Sequence, residues 1–252
     1  MSLLRVENLS IRFGGIKAVD DVGFEVNEGE VFTIIGPNGA GKTTIFNLLS
    51  RIYPPTSGRM LYRDTELTHI PAHRVAGLGI ARTFQNIELF EHATVLDNLL
   101  IGRHCHRASS VLADLFFLPG VQRAERANRE AVEKVIDLLD LAHYREARVA
   151  GLPYGVRKVV ELGRALAVQP KLLLLDEPSS GLNTEETDDM VWWIRDIKDE
   201  LGVTVLMIEH DMSLVGRVSD RVLALNYGKV IASGTPAEVQ RHPEVIEAYL
   251  GA

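Results

Sequence analysis

Val31-Phe32-Thr33-Ile34-Ile35-Gly36-Pro37-Asn38-Gly39-Ala40-Gly41-Lys42-Thr43 decides the fold. The first five residues are an unbroken apolar and β-branched run, the signature of a strand buried on both faces of a parallel sheet. A glycine-rich turn follows at once. From Ala40 onward Ile45, Phe46, Leu48 and Leu49 fall at helical spacing. The turn fits G-x-x-x-x-G-K-[ST] in the context that pattern requires, after a strand and at the start of a helix. Glycines let the backbone curl so that several N–H groups converge on one point, and the helix N-terminus adds positive potential there. Such a loop is built for phosphate oxygens. Lys42 supplies a full positive charge to the outer phosphates, and the Thr43 hydroxyl suits Mg2+.

Outward from this loop the strand pattern repeats. Leu172 to Leu175, Val203 to Ile208 and Arg221 to Leu225 read as further buried strands, with helices between them. Strands alternating with helices predict an α/β fold with a parallel sheet covered on both faces. Leu3 to Val26 reads as short strands of alternating polarity around a turn at Gly14-Gly15. Val95 to Leu100 and Arg123 to Leu141 read as helices of a central insertion. Between them, Leu112 to Leu118 forms an apolar patch, equally suited to internal packing and to partner contact. No repeat, low-complexity tract or linker divides the 252 residues, so one compact unit with a helical insertion is expected.

Composition narrows the classes. The chain is 46% hydrophobic and 24% charged, which is globular rather than disordered. A net charge of −7 argues against a nucleic-acid partner. The single cysteine, Cys105, allows no internal disulfide, and it reads as a bystander. Arg5, Glu7 and Arg12 interrupt the opening stretch, so no signal peptide is expected. No apolar run approaches the ~18 residues of a membrane span. If the protein serves a membrane process, other chains must cross the bilayer.

A second cluster of chemistry follows the later strands. Leu172 to Leu175 runs into Asp176 and Glu177, at the strand end where open sheets bind ligands. Side chains alternate along a strand, so the two acids should act separately. Asp176 suits Mg2+ held through its water shell. Glu177 suits polarising a water that attacks the terminal phosphate. Val203 to Ile208 runs into Glu209-His210-Asp211, which brings His210 to the same edge, where it could hydrogen-bond the γ-phosphate.

Taken together, these residues resemble the nucleotide-binding subunits of ABC transporters over nearly the whole chain. Gly36 to Thr43 looks like Walker A, and Leu172 to Glu177 like Walker B with its catalytic glutamate. Gln85 in Arg82-Thr83-Phe84-Gln85 looks like the Q-loop glutamine, a Mg2+ ligand. Ser179 to Asn183 looks like the D-loop, and His210 like the switch histidine. Phe13 sits where the family stacks an aromatic ring on adenine. The resemblance implies a P-loop NTPase core with a mainly parallel sheet, an N-terminal antiparallel β-subdomain and an inserted helical subdomain. Residues 1–85 would hold the β-subdomain and phosphate loop, 86–160 the helical subdomain, 161–235 the rest of the core, and 236–252 a helical tail.

The resemblance also implies an ATPase with ATP and Mg2+. Glu177 and His210 would be catalytic. Phe13, Gly36, Pro37, Asn38, Gly39, Ala40, Gly41, Lys42, Thr43, Thr44, Gln85, Tyr154 and Gly155 would bind nucleotide, and Thr43, Gln85 and Asp176 would hold the metal. Two departures stand out. The signature, usually Leu-Ser-Gly-Gly-Gln, reads Leu152-Pro153-Tyr154-Gly155-Val156, and Asn183 replaces the usual D-loop aspartate. The ending Gly234 to Val239 and Val245 to Gly251, with Thr83 to Phe90, is similar to the high-affinity branched-chain amino acid importers, closest to the first of their two ATPase subunits. Related urea or amide importers and lipid or lipopolysaccharide exporters are the alternative. The implied partners are transmembrane permease subunits, a second ATPase subunit (sister chain or self) and, indirectly, a periplasmic or extracellular substrate-binding protein. The implied location is peripheral, on the cytoplasmic face of the inner membrane. A guanine reader would need an Asn-Lys-x-Asp segment, which the chain lacks.

Overall fold

Two β-sheets organise the larger part of the computed structural model, which describes residues 1–106 and 119–250. The apolar patch expected at Leu112 to Leu118 lies outside the described residues. The chain forms two units: Met1–Arg82 with Lys171–Ala252, and Thr83–Pro170.

In the first unit, β1 (Ser2–Phe13) and β2 (Ile16–Asn27) form a long antiparallel hairpin. β4 (Ser57–Tyr62) and β5 (Thr65–Glu66) extend it in the order β2-β1-β4-β5. The second sheet comprises β3 (Val31–Ile35), β6 (Ile80–Arg82), β7 (Leu172–Asp176), β8 (Thr204–Ile208), β9 (Arg221–Asn226) and β10 (Lys229–Gly234), in the order β10-β9-β3-β8-β7-β6. Among the described strands of this sheet, only β10 runs antiparallel to its neighbour. The expected α/β class, the mainly parallel sheet and the N-terminal antiparallel sheet are therefore all present.

The period of two sorts the strand residues between two cores. Leu172, Leu174, Leu206, Ile208, Leu223 and Leu225 face helix α1 (Lys42–Leu49) and the antiparallel sheet, where Leu4, Val6, Leu9, Ile45 and Phe46 complete the packing. Val222 and Ala224 point the other way. They pack with Ile35 and with Val215, Val239 and Val245 from the helices of the C-terminal half. This double burial explains why β3, β7 and β8 read as continuous apolar runs. The expected short strands in Leu3 to Val26 are instead two strands of 12 residues, broken by register shifts. Asn8 (φ 48°) and Asp21 (φ 58°) take left-handed backbone there and interrupt the alternation without ending the strands.

The helices of this unit, besides α1, begin with α2 (Ala72–Val75). The second unit holds α3 (Val95–Gly102), α4 (Pro119–Leu138) and α5 (Tyr154–Ala167). The first unit resumes with α6 (Thr184–Asp199), α7 (Met212–Val218), α8 (Pro236–Gln240) and α9 (Pro243–Leu250). In the second unit α3 and α4 pack against α5. Thr94 and Asp97 form a reciprocal cap at the start of α3, which fixes that helix in the sequence order expected for it. The unit boundaries fall at Arg82 and Lys171, and α5 runs unbroken across residue 160.

Candidate functional site

The strands that carry the predicted chemistry are neighbours in register. Ile34 of β3 pairs with Ile208 of β8, and Ile208 pairs with Asp176 of β7. All three strands are parallel, so the loops after Ile35, Asp176 and Ile208 emerge side by side at one sheet edge. That edge is where ligands bind in open α/β sheets.

The first of these loops begins at Gly36, with φ at +150°; a Cβ there would lie 2.3 Å from the Leu225 carbonyl oxygen. Gly41, at φ +102°, would put a Cβ 2.5 Å from the Ala18 carbonyl oxygen. Both positions require glycine. Gly41 in this conformation also fixes α1 to start at Lys42 rather than at Ala40. Lys42 is buried and folds back over the loop, its Nζ donating to the carbonyls of Gly36 at 2.6 Å and Pro37 at 3.0 Å. Burial pushes its pKa below the usual lysine value, while the carboxylates of Glu177 and Asp176 push it back up.

At the next strand end, Asp176 is buried and its Oδ2 accepts from Arg82 Nη2 at 2.8 Å. Arg82 Nη1 donates to Asn47 Oδ1 (2.8 Å) and Ser50 Oγ (3.2 Å) on α1, and its guanidinium lies over the Phe46 ring at 5.5 Å. One cation therefore ties the acid of β7 to the helix that follows the phosphate loop. Glu177 takes a left-handed conformation, φ 50°, which turns it away from the strand. His210 Nδ1 lies 3.9 Å from Glu177 Oε2 and 3.8 Å from Glu209 Oε2. His210 thus comes close to Glu177 at this edge.

Phe13 closes β1 with its ring partly exposed and set edge-on to Tyr53, the centroids 5.2 Å apart. An exposed ring held in this way is suited to stacking on a base. Asn183 caps α6: its side chain accepts from Glu186 N while Glu186 accepts from Asn183 N. Asparagine and aspartate cap equally well, so this departure from the family residue keeps the helix start intact.

Gln85, Tyr154 and Gly155 belong to the second unit. Gln85 is exposed in the segment after β6. That segment is pinned to α5: Glu161 accepts from Phe84 N at 3.1 Å, and Arg164 donates to the Glu88 carbonyl. Burial pushes the Glu161 carboxyl above its usual value, and the Phe84 N–H and Arg164 draw it back. Tyr154 is the first residue of α5, partly exposed, with Arg157 over its ring at 6.0 Å. Pro153, at the N-cap, provides no side-chain cap. Gly155 is buried.

Three residues with a structural claim on the site were absent from the sequence-based expectations: Arg82, Glu209 and Tyr249. Tyr249 Oη accepts the Gly36 N–H at 2.9 Å across 213 residues of sequence. Nothing local signals that contact. Glu209 had a signal, since it follows β8 as Asp176 ends β7.

The donors offered for a metal, the Thr43 hydroxyl, the Gln85 amide and the Asp176 carboxylate, are all hard oxygens of the kind Mg2+ takes, with phosphate and water completing its shell. Among the described residues no group of three or more His, Cys, Asp or Glu side chains could hold a metal by itself.

A loop for phosphates with paired acids and a histidine at one sheet edge, in a unit that also carries an antiparallel sheet, defines a nucleotide-hydrolysing cassette. The sequence profile of the ABC transporter family matches residues 19–180, and the chain belongs to that family as an ATPase subunit. A second profile, for branched-chain amino acid ATP-binding cassette transporters, matches residues 229–252. The chain is 42% identical to the high-affinity branched-chain amino acid transport ATP-binding protein BraF of Pseudomonas aeruginosa, covering 99% of this chain and 98% of that protein. It is 39% identical to LivG of Escherichia coli, which carries the same description, with the same coverage. A crystal structure of a nucleotide-free ATP-binding cassette from an ABC transporter superposes with a TM-score of 0.87 at 34% identity over 100% of both chains. The ADP conformation of such a cassette matches equally well.

Proposed function

We propose that this chain binds ATP at the Gly36–Thr44 loop and hydrolyses it with Glu177 as base, energising import of branched-chain or related amino acids. The observation that carries this reading is the register of β3, β8 and β7, which delivers Lys42, His210 and Glu177 to one edge. Lys42 exchanges its loop carbonyls for the outer phosphates of ATP. Phe13 stacks on adenine, worth ~1–3 kcal/mol by analogy with base stacking. Glu177 accepts a proton from water as the water oxygen attacks the γ-phosphorus and the bond to the ADP oxygen breaks. His210 hydrogen-bonds the γ-phosphate. Mg2+, when bound, neutralises charge on the β- and γ-phosphates. Thr43, Gln85 and Asp176 would hold it, with Asp176 acting through water because Arg82 occupies its Oδ2.

The names of the relatives support the amino acid class. The partners in this reading are permease subunits, a second ATPase subunit and, through the permease, a substrate-binding protein outside the membrane. The chain lies on the cytoplasmic face, where ATP is available. Tyr154 and Gly155 face the nucleotide held by the second ATPase subunit, with backbone N–H groups of α5 replacing the hydroxyl that Pro153 lacks.

Glu177→Gln tests the reading. It should keep ATP binding while hydrolysis falls at least about a hundredfold, the scale of losing a general base. Steady-state phosphate release beside equilibrium ATP titration reads both. Near-normal turnover would remove Glu177 from the role.

A further inference from the structure

We infer that Glu209 is a positioning residue that locks the catalytic carboxylate and the switch histidine into one rigid unit; this rests on the roles proposed for Glu177 and His210. Glu209 follows β8 directly and is completely buried. Its carboxylate oxygens are divided between two loops. Oε1 accepts from Ser179 N at 2.9 Å and from Ser179 Oγ at 2.5 Å. Oε2 accepts from His210 N at 2.8 Å and Asp211 N at 3.1 Å. Its own N–H donates to Ile34 O, on the strand that leads into the phosphate loop, at 3.3 Å.

The placement of these bonds gives them their meaning. Ser179 lies two residues after Glu177 and is itself buried. The Glu177 N–H donates to Ile208 O at 3.0 Å, just before Glu209. The segment bearing Glu177 is therefore fastened to the segment bearing His210 at both ends of a short span. Glu177 holds a left-handed backbone, a conformation that persists when its surroundings over-determine it. The two catalytic side chains project from this clamped frame 3.9 Å apart.

An acceptor-only side chain is required here. Four donors converge on two oxygens, and a carboxylate has the lone pairs for all of them. A glutamine keeps one oxygen and presents an NH2 group to N–H donors on the other side. A neutral apolar residue would strand every donor. The cap of α7 is supplied separately by Asp211, whose Oδ1 accepts from Ser213 N at 2.8 Å and Leu214 N at 3.4 Å. Capping of α7 is therefore not what Glu209 does; its local bonds hold the His210 turn, and its bonds to Ser179 link that turn to the loop after Glu177.

The test is Glu209→Gln in the full chain, with Ser179→Ala as a second variant that removes one donor and leaves Glu209 in place. Loss of alignment between reacting groups by about 1 Å costs up to about a hundredfold. Glu209→Gln should lower kcat by tens of fold while ATP affinity changes less than about threefold, because the phosphate loop is untouched. Ser179→Ala should lower kcat by a few fold with the same split. In the Glu177→Gln background, Glu209→Gln should lower residual hydrolysis no further, since residues acting as a unit are not additive. Unchanged kcat in Ser179→Ala, or a full additional loss in the Glu177→Gln background, would overturn the inference. If Glu177→Gln itself hydrolyses normally, the fault lies with the base assignment and not with the clamp.

Discussion

Lys42 closes the phosphate loop upon itself with two hydrogen bonds to carbonyls that ATP does not need. Its burial lowers its pKa, and the two neighbouring carboxylates oppose that shift. A triphosphate arriving at the loop brings further negative charge to a buried ammonium whose hydrogen bonds go to the Gly36 and Pro37 carbonyls, so binding strengthens the charged form. Lys42→Ala should weaken ATP binding by about tenfold to a hundredfold, the range for one hydrogen bond to a charged group at 1.5–3 kcal/mol. Unchanged affinity by calorimetric titration would mean the nucleotide does not use this loop. This residue was legible in sequence because the motif, the strand before it and the helix after it agree. Arg82 was not, because its meaning lies in a contact with Asp176, 94 residues away. Glu209 was half legible: its position after β8 was visible, but the Ser179 hydroxyl that completes its partners is 30 residues distant.

Among the elements, α9 has the least predictable role. Its sequence suggested a family resemblance and nothing physical. In the structure Val245 packs into the cluster beneath β9, and Tyr249 from the same helix reaches the first residue of the phosphate loop. Burial pushes the Tyr249 hydroxyl above its usual pKa, and the Gly36 N–H draws it down, so the group stays neutral and the bond is intact across the working range. Tyr249→Phe removes the acceptor and keeps the ring. The Gly36 N–H, whose left-handed φ opens the loop, then loses its partner. ATP affinity should fall about twofold to tenfold, the scale of a net hydrogen bond of 0.5–1.5 kcal/mol, with kcat little changed. Equal affinity would show that α9 merely packs. Elsewhere element boundaries followed local rules that sequence carries well, as β3, β7 and β8 do as apolar runs. The β1–β2 hairpin failed those rules because its bulges break the period of two while the hydrogen-bond ladder continues.

At the scale of the whole molecule, the division into Met1–Arg82 with Lys171–Ala252 and Thr83–Pro170 left no compositional trace. Thr83 is buried, and no glycine- or serine-rich linker marks the first boundary. The charge of the chain was legible, and it bears on the proposed attachment to a membrane. Net charge is −7, and among the described residues no helix is long and apolar enough to cross a bilayer. Anionic lipid surfaces attract basic segments by about 1 kcal/mol per Lys or Arg, and a net charge of −7 adds no overall attraction to that. In the proposed function, attachment comes from contact with permease subunits. Purified chain mixed with anionic vesicles at physiological salt should stay in the supernatant on sedimentation. The same chain should pellet with vesicles that contain its permease subunits, and raising salt should not convert the first outcome into the second. Strong binding to bare vesicles would instead locate a lipid-binding surface in this chain and make the permease dispensable for recruitment, though not for transport.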